Sequence, residues 1–174
     1  MADFFKQAAA TFDDPIELLM ACHGRVRHFA DLTLKLAQYL PEHGADKEAQ
    51  QAASNILRYF DVAAPLHHED EDDDLFPLLA AAGDENLRAL IAGTTAEHTT
   101  LGALWQAVRA QLVLIAAGTE TQLPLDLAAE FAQRYPEHAD REDREIYPRA
   151  FDLLSPETLA ELGRKMAARR GVSH

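Results

Sequence analysis

The chain has 174 residues, 48% of them apolar, a single cysteine and a formal net charge of -13. That length suits one domain with a real core rather than two, and the acidic balance excludes the electrostatics of nucleic-acid or anionic-membrane binding. Cys22 alone excludes an internal disulfide or a cysteine-based zinc site, while abundant Ala and Leu with few aromatics and Gly favour an all-α fold.

The opening stretch, MADFFKQAAATFDDP, lacks the basic start and long apolar run of an export signal, and the longest later apolar run, LVLIAA at 112–117, is far short of a bilayer span. A cytoplasmic protein is expected, with residues 1–13 an N-terminal extension. Asp14-Pro15-Ile16-Glu17 combines an N-cap acceptor, Pro at the first helical position and Glu at the third, which predicts a helix from there to about Leu40. Ile16, Leu19, Met20, Val26, Ala30, Leu34 and Ala37 form its apolar stripe, and His23 falls on that stripe and points inward. His28 lies about 140° further round and is a surface or rim residue. Cys22 is read as a small apolar residue rather than a reactive thiol.

PEHGAD at 41–46 reads as a loop that places His43 in solvent, as the terminus places His174. Asp46 caps a second helix running to about Ala82, with a kink or short break at Pro65, just before His67. Gly83-Asp84 opens a third helix, with Gly93 a candidate interruption and with His98, Leu101, Trp105, Val108, Leu112 and Ile115 on one face. After the connection GTETQLP at 118–124, a fourth helix runs from about Leu125 to Leu154 with a kink at Pro136. Ser155-Pro156 caps a short fifth helix that ends before Gly171. Four long helices on short loops predict an antiparallel up-down four-helix bundle over 14–154, with 155–174 a C-terminal helix and tail.

One stretch is written twice. PLHHEDEDDDLFP at 65–77 and PEHADREDREIYP at 136–148 share Pro65 with Pro136, His67 with His138, Glu71 with Glu142, Asp72 with Asp143 and Pro77 with Pro148. His67 with Glu71, and His138 with Glu142, are i,i+4 pairs that put an imidazole and a carboxylate one turn apart on one face. His23 and His98 add an inward imidazole each. Burying four imidazoles and two carboxylates is costly unless cations coordinate the nitrogens and neutralise the acids, and mixed His and Glu ligation without thiolate suits iron, manganese or zinc. Two metals bridged by Glu71 and Glu142 is the economical arrangement. The register His68 with Asp72 is also i,i+4, but the second copy offers Ala139 and Asp143 there. Asp70, Asp72, Asp73 and Asp74 of the acid run are read as a solvated helix face.

This pattern, His23, His67-x3-Glu71, His98 and His138-x3-Glu142 with LFP and IYP closing the two copies, resembles the hemerythrin-like HHE cation-binding family over roughly residues 14–154. The resemblance implies a four-helix bundle holding two iron ions with bridging carboxylates and a bridging oxygen species. By motif position His23, His67, His98 and His138 are terminal ligands, and Glu71 and Glu142 the bridges. It implies O2 or a related small oxidant as ligand, in a sensing or carrying role. A di-iron enzyme acting on peroxide, nitric oxide or ferrous iron, and a metal-stapled structural or interaction module, are the alternatives. No output domain is expected, so a sensor needs a separate protein partner. Oxygen-carrying hemerythrins bring two His spaced i,i+4 from the third helix, whereas Thr94 and Gly102 flank His98 here, a departure that favours sensing or small-oxidant chemistry over storage. His68, Glu97 or water are the candidates to fill that place.

Overall fold

The computed structural model of the chain describes residues 11–173. Most of the expected N-terminal extension, and His174 with its expected exposure, therefore lie outside the described residues. The first helix, Pro15–His43, starts at the predicted proline, but Asp14 caps it with its backbone carbonyl alone, accepting from Leu18 N–H at 2.9 Å. It also ends later than the predicted Leu40. His43 stacks on Tyr39 with ring centroids 3.8 Å apart, and its Nδ1 meets the Tyr39 carbonyl at 3.0 Å. These contacts extend the helix through Pro41, and Gly44, at φ +65°, then ends it with a backbone conformation that costs a residue with a Cβ dearly.

The second rod is continuous but changes pitch along its length: α-helical Lys47–Arg58, a π turn at Tyr59–Ala63, α-helical Ala64–Glu69, a second π turn at Asp70–Leu75, and α-helical Phe76–Ala82. Asp46 caps it as predicted, its carboxylate accepting from Ala49 N–H at 2.9 Å. The expected kink at Pro65 is the wider π turn instead, which makes room for a ring that would otherwise crowd the carbonyl four residues back. The third helix, Glu85–Ala116, is capped by Asp84 and passes through Gly93 without interruption. The fourth rod runs as Leu125–Arg141, a π turn at Glu142–Ile146, and Tyr147–Leu153. Pro136 lies inside its first α-helical segment, so the change of pitch falls six residues later than expected. What both copies share is a π turn immediately before the closing Pro77 and Pro148. Phe76 N–H reaches the Glu71 carbonyl and Tyr147 N–H the Glu142 carbonyl, and the extra residue in each turn lets the consecutive pairs Leu75-Phe76 and Ile146-Tyr147 both be buried.

The four rods pack as an antiparallel bundle, the first against the second and fourth, the third against the same two. Each rod passes from one apolar cluster, through its candidate ligands, into another. Val26, Phe60, Leu101 and Phe131 belong to the first cluster, and Leu19, Leu75, Ile91 and Ile146 to the second. The ligands occupy the polar layer between them. Along the first helix the stripe is as predicted except that Met20 is 39% exposed and Leu34 only half-buried, their places being taken by Thr33 and Leu36.

The fifth helix, Pro156–Arg169, is capped by the Ser155 hydroxyl and packs on the first through Leu162 and Met166. At Gly163 a Cβ would stand 1.9 Å from the Phe12 carbonyl oxygen, so this approach requires glycine. This helix also overturns the reading of the acid run as a solvated face. Asp70 is 0% exposed and Asp74 buried, because Arg169 and Arg170 clamp Asp70 while Lys165 and Arg169 hold Asp74. Asp73 alone of the four is fully on the surface. Burial pushes the Asp70 carboxyl up, although Arg170 and Arg169 oppose it. Replacing Arg169 and Arg170 together with Ala therefore leaves a buried carboxylate unpaired and should cost about 3–5 kcal/mol, lowering the melting temperature by roughly 10 °C. Adding Asp70→Asn should recover part of that loss, and an unchanged melting temperature in the Arg double variant would refute the clamp.

Candidate metal centre

All six sequence-predicted residues are buried and meet in the layer between the two apolar clusters. The first helix supplies His23, the second His67 and Glu71, the third His98 and the fourth His138 and Glu142. They sort into two poles. In one, His23, His67, Glu71 and Glu142 bring ligand atoms within 4.8 Å of one another; in the other, His68, His98 and His138 do the same. The carboxylates reach both poles. Glu71 Oε1 lies 3.5 Å from His67 Nε2 and its Oε2 3.5 Å from His98 Nε2. Glu142 Oε2 lies 3.1 Å from His23 Nε2, and its Oε1 3.1 Å from His138 Nε2 and 3.5 Å from His98 Nε2.

Of the three candidates for the place beside His98, His68 stands there, stacked on the His98 ring with centroids 4.0 Å apart. Glu97 points elsewhere, to the far side of His138. The sequence expectation of a pole short of an imidazole is thus met from the second rod rather than the third helix.

Behind the ligands stands a ring of carboxylates. His23 Nδ1–H donates to Asp143 at 2.7 Å, His98 Nδ1–H to Asp72 at 2.8 Å and His138 Nδ1–H to Glu97 at 2.9 Å. A carboxylate at Nδ1 fixes the tautomer and turns Nε2 inward as the donor to a cation. Arg27 in turn holds Asp143 and Asp140, and Arg141 holds Glu97. Asp72 and Asp143 are the repeat partners noted in the sequence, and the shared position was the signal for their role. Glu97 carried no such signal, because its partner lies on another helix.

The electrostatics are those of a site short of positive charge. Burial lowers His67, and neighbouring His23 and His68 lower it further, well below the usual imidazole range. Burial and His98 bring His68 down to about 3. His23 and His98 move the other way: burial opposes it, but the Asp143 bond with the Glu142 contact, and the Glu142 contact with the Asp72 bond, raise them. Glu71 is pushed well up by burial and by Glu142, whereas contacts from His138, His23 and His98 outweigh burial and hold Glu142 well down. Protons on some of these groups stand where cations would serve better. Both carboxylates are 0% exposed, yet among the described residues neither oxygen of Glu142, nor Glu71 Oε2, has a hydrogen-bond partner. Nitrogens and oxygens crowded to 3.1–3.5 Å without hydrogen bonds are arranged around common points rather than towards each other. Imidazole and carboxylate donors at such points fit divalent or trivalent transition-metal ions.

Tyr147, of the IYP that closes the second copy, also enters the centre. Its hydroxyl donates to Glu71 Oε1 and lies 3.4 Å from both His23 Nε2 and His67 Nε2. Burial, with the Glu71 and Glu142 charges, holds this phenol well above its ordinary value. Cys22, next to His23, is half-buried, and burial raises its thiol too, in line with an inert role. His28 and His43 are exposed, as expected.

Residues 14–150 match the sequence profile described as the Hemerythrin HHE cation binding domain. The chain is also 34% identical over 166 residues, 95% of each chain, to a protein of Haemophilus influenzae described as an uncharacterized protein. Among the described residues, no helix is long and apolar enough to cross a membrane.

Proposed function

Because this chain belongs to the hemerythrin HHE cation-binding domain family, we propose that it is a non-haem di-iron protein that binds O2 or a related small oxidant, in a sensing or carrying role. On this reading the resident group would be two iron ions with a bridging oxygen species. The observation that carries this reading is the placement of Glu71 and Glu142, each offering one oxygen to each imidazole pole, which is what two adjacent cations require and one does not. When bound, the ions supply reversible electron transfer and coordination positions for a small oxidant.

The protein does the rest. His23 and His67 would hold one ion, and His98 and His138, with His68 in reach, the other, while Glu71 and Glu142 would neutralise the charge of both. Asp143, Asp72 and Glu97 orient three of the rings, so the donors are set before an ion arrives. Phe76, Leu75 and Ile146 on one side and Trp105, Phe60 and Leu101 on the other keep bulk water from the layer. With His68 at hand, the imidazole count no longer favours sensing over carriage.

Protein purified with iron available should contain about two iron ions per chain, measured by elemental analysis. His28→Ala should leave that content unchanged, since His28 lies on the exposed face of the first helix. Oxygen uptake by the reduced, iron-loaded protein should then stop after a stoichiometric amount rather than continue as turnover. A reproducible single ion per chain, or zinc alone, would overturn the di-iron reading.

A further inference from the structure

The two copies of the repeated stretch differ at two positions that border the centre. At the offset that pairs His67 with His138, His68 corresponds to Ala139 and Tyr147 to Phe76. Each difference places one donor in one copy and none in the other, and the two donors serve opposite poles. His68 joins His98 and His138, while the Tyr147 hydroxyl joins His23 and His67.

The distances place that hydroxyl among the ligand atoms. Donors bound at about 2.1 Å to one ion stand on the order of 3 Å apart when adjacent. Around the first pole the separations are 2.9 Å for His23 Nε2 to His67 Nε2, 3.1 Å for His23 Nε2 to Glu142 Oε2 and 3.5 Å for His67 Nε2 to Glu71 Oε1. The Tyr147 oxygen at 3.4 Å from both imidazole nitrogens falls inside this set. Packing does not require it. Phe76, at the matching place, fills the equivalent volume and stacks near His98, centroids 6.1 Å apart, with no oxygen at all. Tyr147 is wholly buried, so its oxygen has no solvent to serve.

We propose that Tyr147 is a further ligand, as phenolate, of the ion held by His23 and His67. The assignment deepens the di-iron reading and rests on it. The phenol O–H bond to Glu71 breaks as the ion binds, the proton leaves to solvent, and the freed Glu71 oxygen turns to the same ion. The two poles then differ in kind: two imidazoles and a phenolate on one side, three imidazoles on the other, with both carboxylates shared. A hard anionic oxygen favours the ferric over the ferrous state, so the phenolate-bound iron is the easier of the two to oxidise. The asymmetry comes from two of the eight positions at which the thirteen-residue copies differ.

Tyr147→Phe tests this directly, since it installs the residue already tolerated at the matching place and removes one oxygen atom. Iron-loaded, air-oxidised wild type should show a phenolate-to-iron charge-transfer absorption, and excitation in that band should enhance tyrosine ring modes in the Raman spectrum. Tyr147→Phe should lack both signals, whether it keeps both ions or loses the one at the His23 pole. Tyr135→Phe, which alters a buried phenol of the neighbouring apolar cluster, should retain them. Absence of the phenolate signature in wild type holding two ions, or its persistence in Tyr147→Phe, overturns the assignment and leaves Tyr147 as a hydrogen-bond donor to Glu71. Wild type that takes up one iron ion per chain or fewer overturns the di-iron reading and this assignment with it, so the iron count separates the two failures.

Discussion

Glu142→Ala is expected to leave fewer than about one iron ion per chain, a larger loss than Glu71→Ala, which should leave about one. The two carboxylates hold matching places in the repeat but not matching neighbours. Glu142 lies 3.1 Å from a nitrogen in each pole, His23 and His138, and 3.5 Å from His98. Glu71 reaches its two imidazoles only at 3.5 Å and spends Oε1 on the Tyr147 hydroxyl. Three imidazoles thus lose a carboxylate beside Nε2 when Glu142 goes, against two when Glu71 goes. Elemental analysis of both variants, with circular dichroism to confirm that each is folded, decides the order. A Glu142→Ala protein that keeps two ions would mean that Glu142 is not a bridge.

This asymmetry marks where the sequence stopped being informative. The i,i+4 spacing of His67 with Glu71 and of His138 with Glu142 survives folding because both pairs end just as the π turns begin, so α-helical periodicity places them correctly. The apolar stripes of the first and third helices located His23 and His98 by the same periodicity. Beyond Glu71 and Glu142 the period changes. Tyr147 follows a π turn, where one extra residue rotates the chain inward, and α-helical counting cannot find it. Asp70 and Asp74 were misread for another reason: their partners, Arg169 and Arg170, lie on the fifth helix about a hundred residues away. An acid run looks solvated until the cations that cover it are known. His68 was visible only as one of three fillers, because its neighbours come from the third and fourth rods.

Acid should destabilise the ion-free protein measurably, and the iron-loaded protein more steeply. In the ion-free form His67 and His68 are held below the ordinary imidazole value of 6.5, so their contribution is full above that pH and is lost as the pH falls towards their folded values, about 3 for His68. His23 and His98 are raised, so theirs is full below 6.5 and changes only above it. Glu71 is raised above the ordinary 4.5, so its contribution grows as the pH falls towards that value. As the pH falls below 6.5 the unfolded chain therefore takes up protons that His67 and His68 resist in the folded state, two groups against the one, Glu71, that works the other way, and the ion-free protein should lose stability. With ions bound, His23 and His98 cannot keep a proton on the ligating nitrogen either, and Glu71 gives up its own. The opposing contribution disappears while two more imidazoles take up protons on unfolding, so the slope should at least double. Denaturant titrations of both forms across this range measure the two slopes. Equal slopes would mean that bound ions displace no protons from these groups, and that the His and Glu cluster is not where the metal sits.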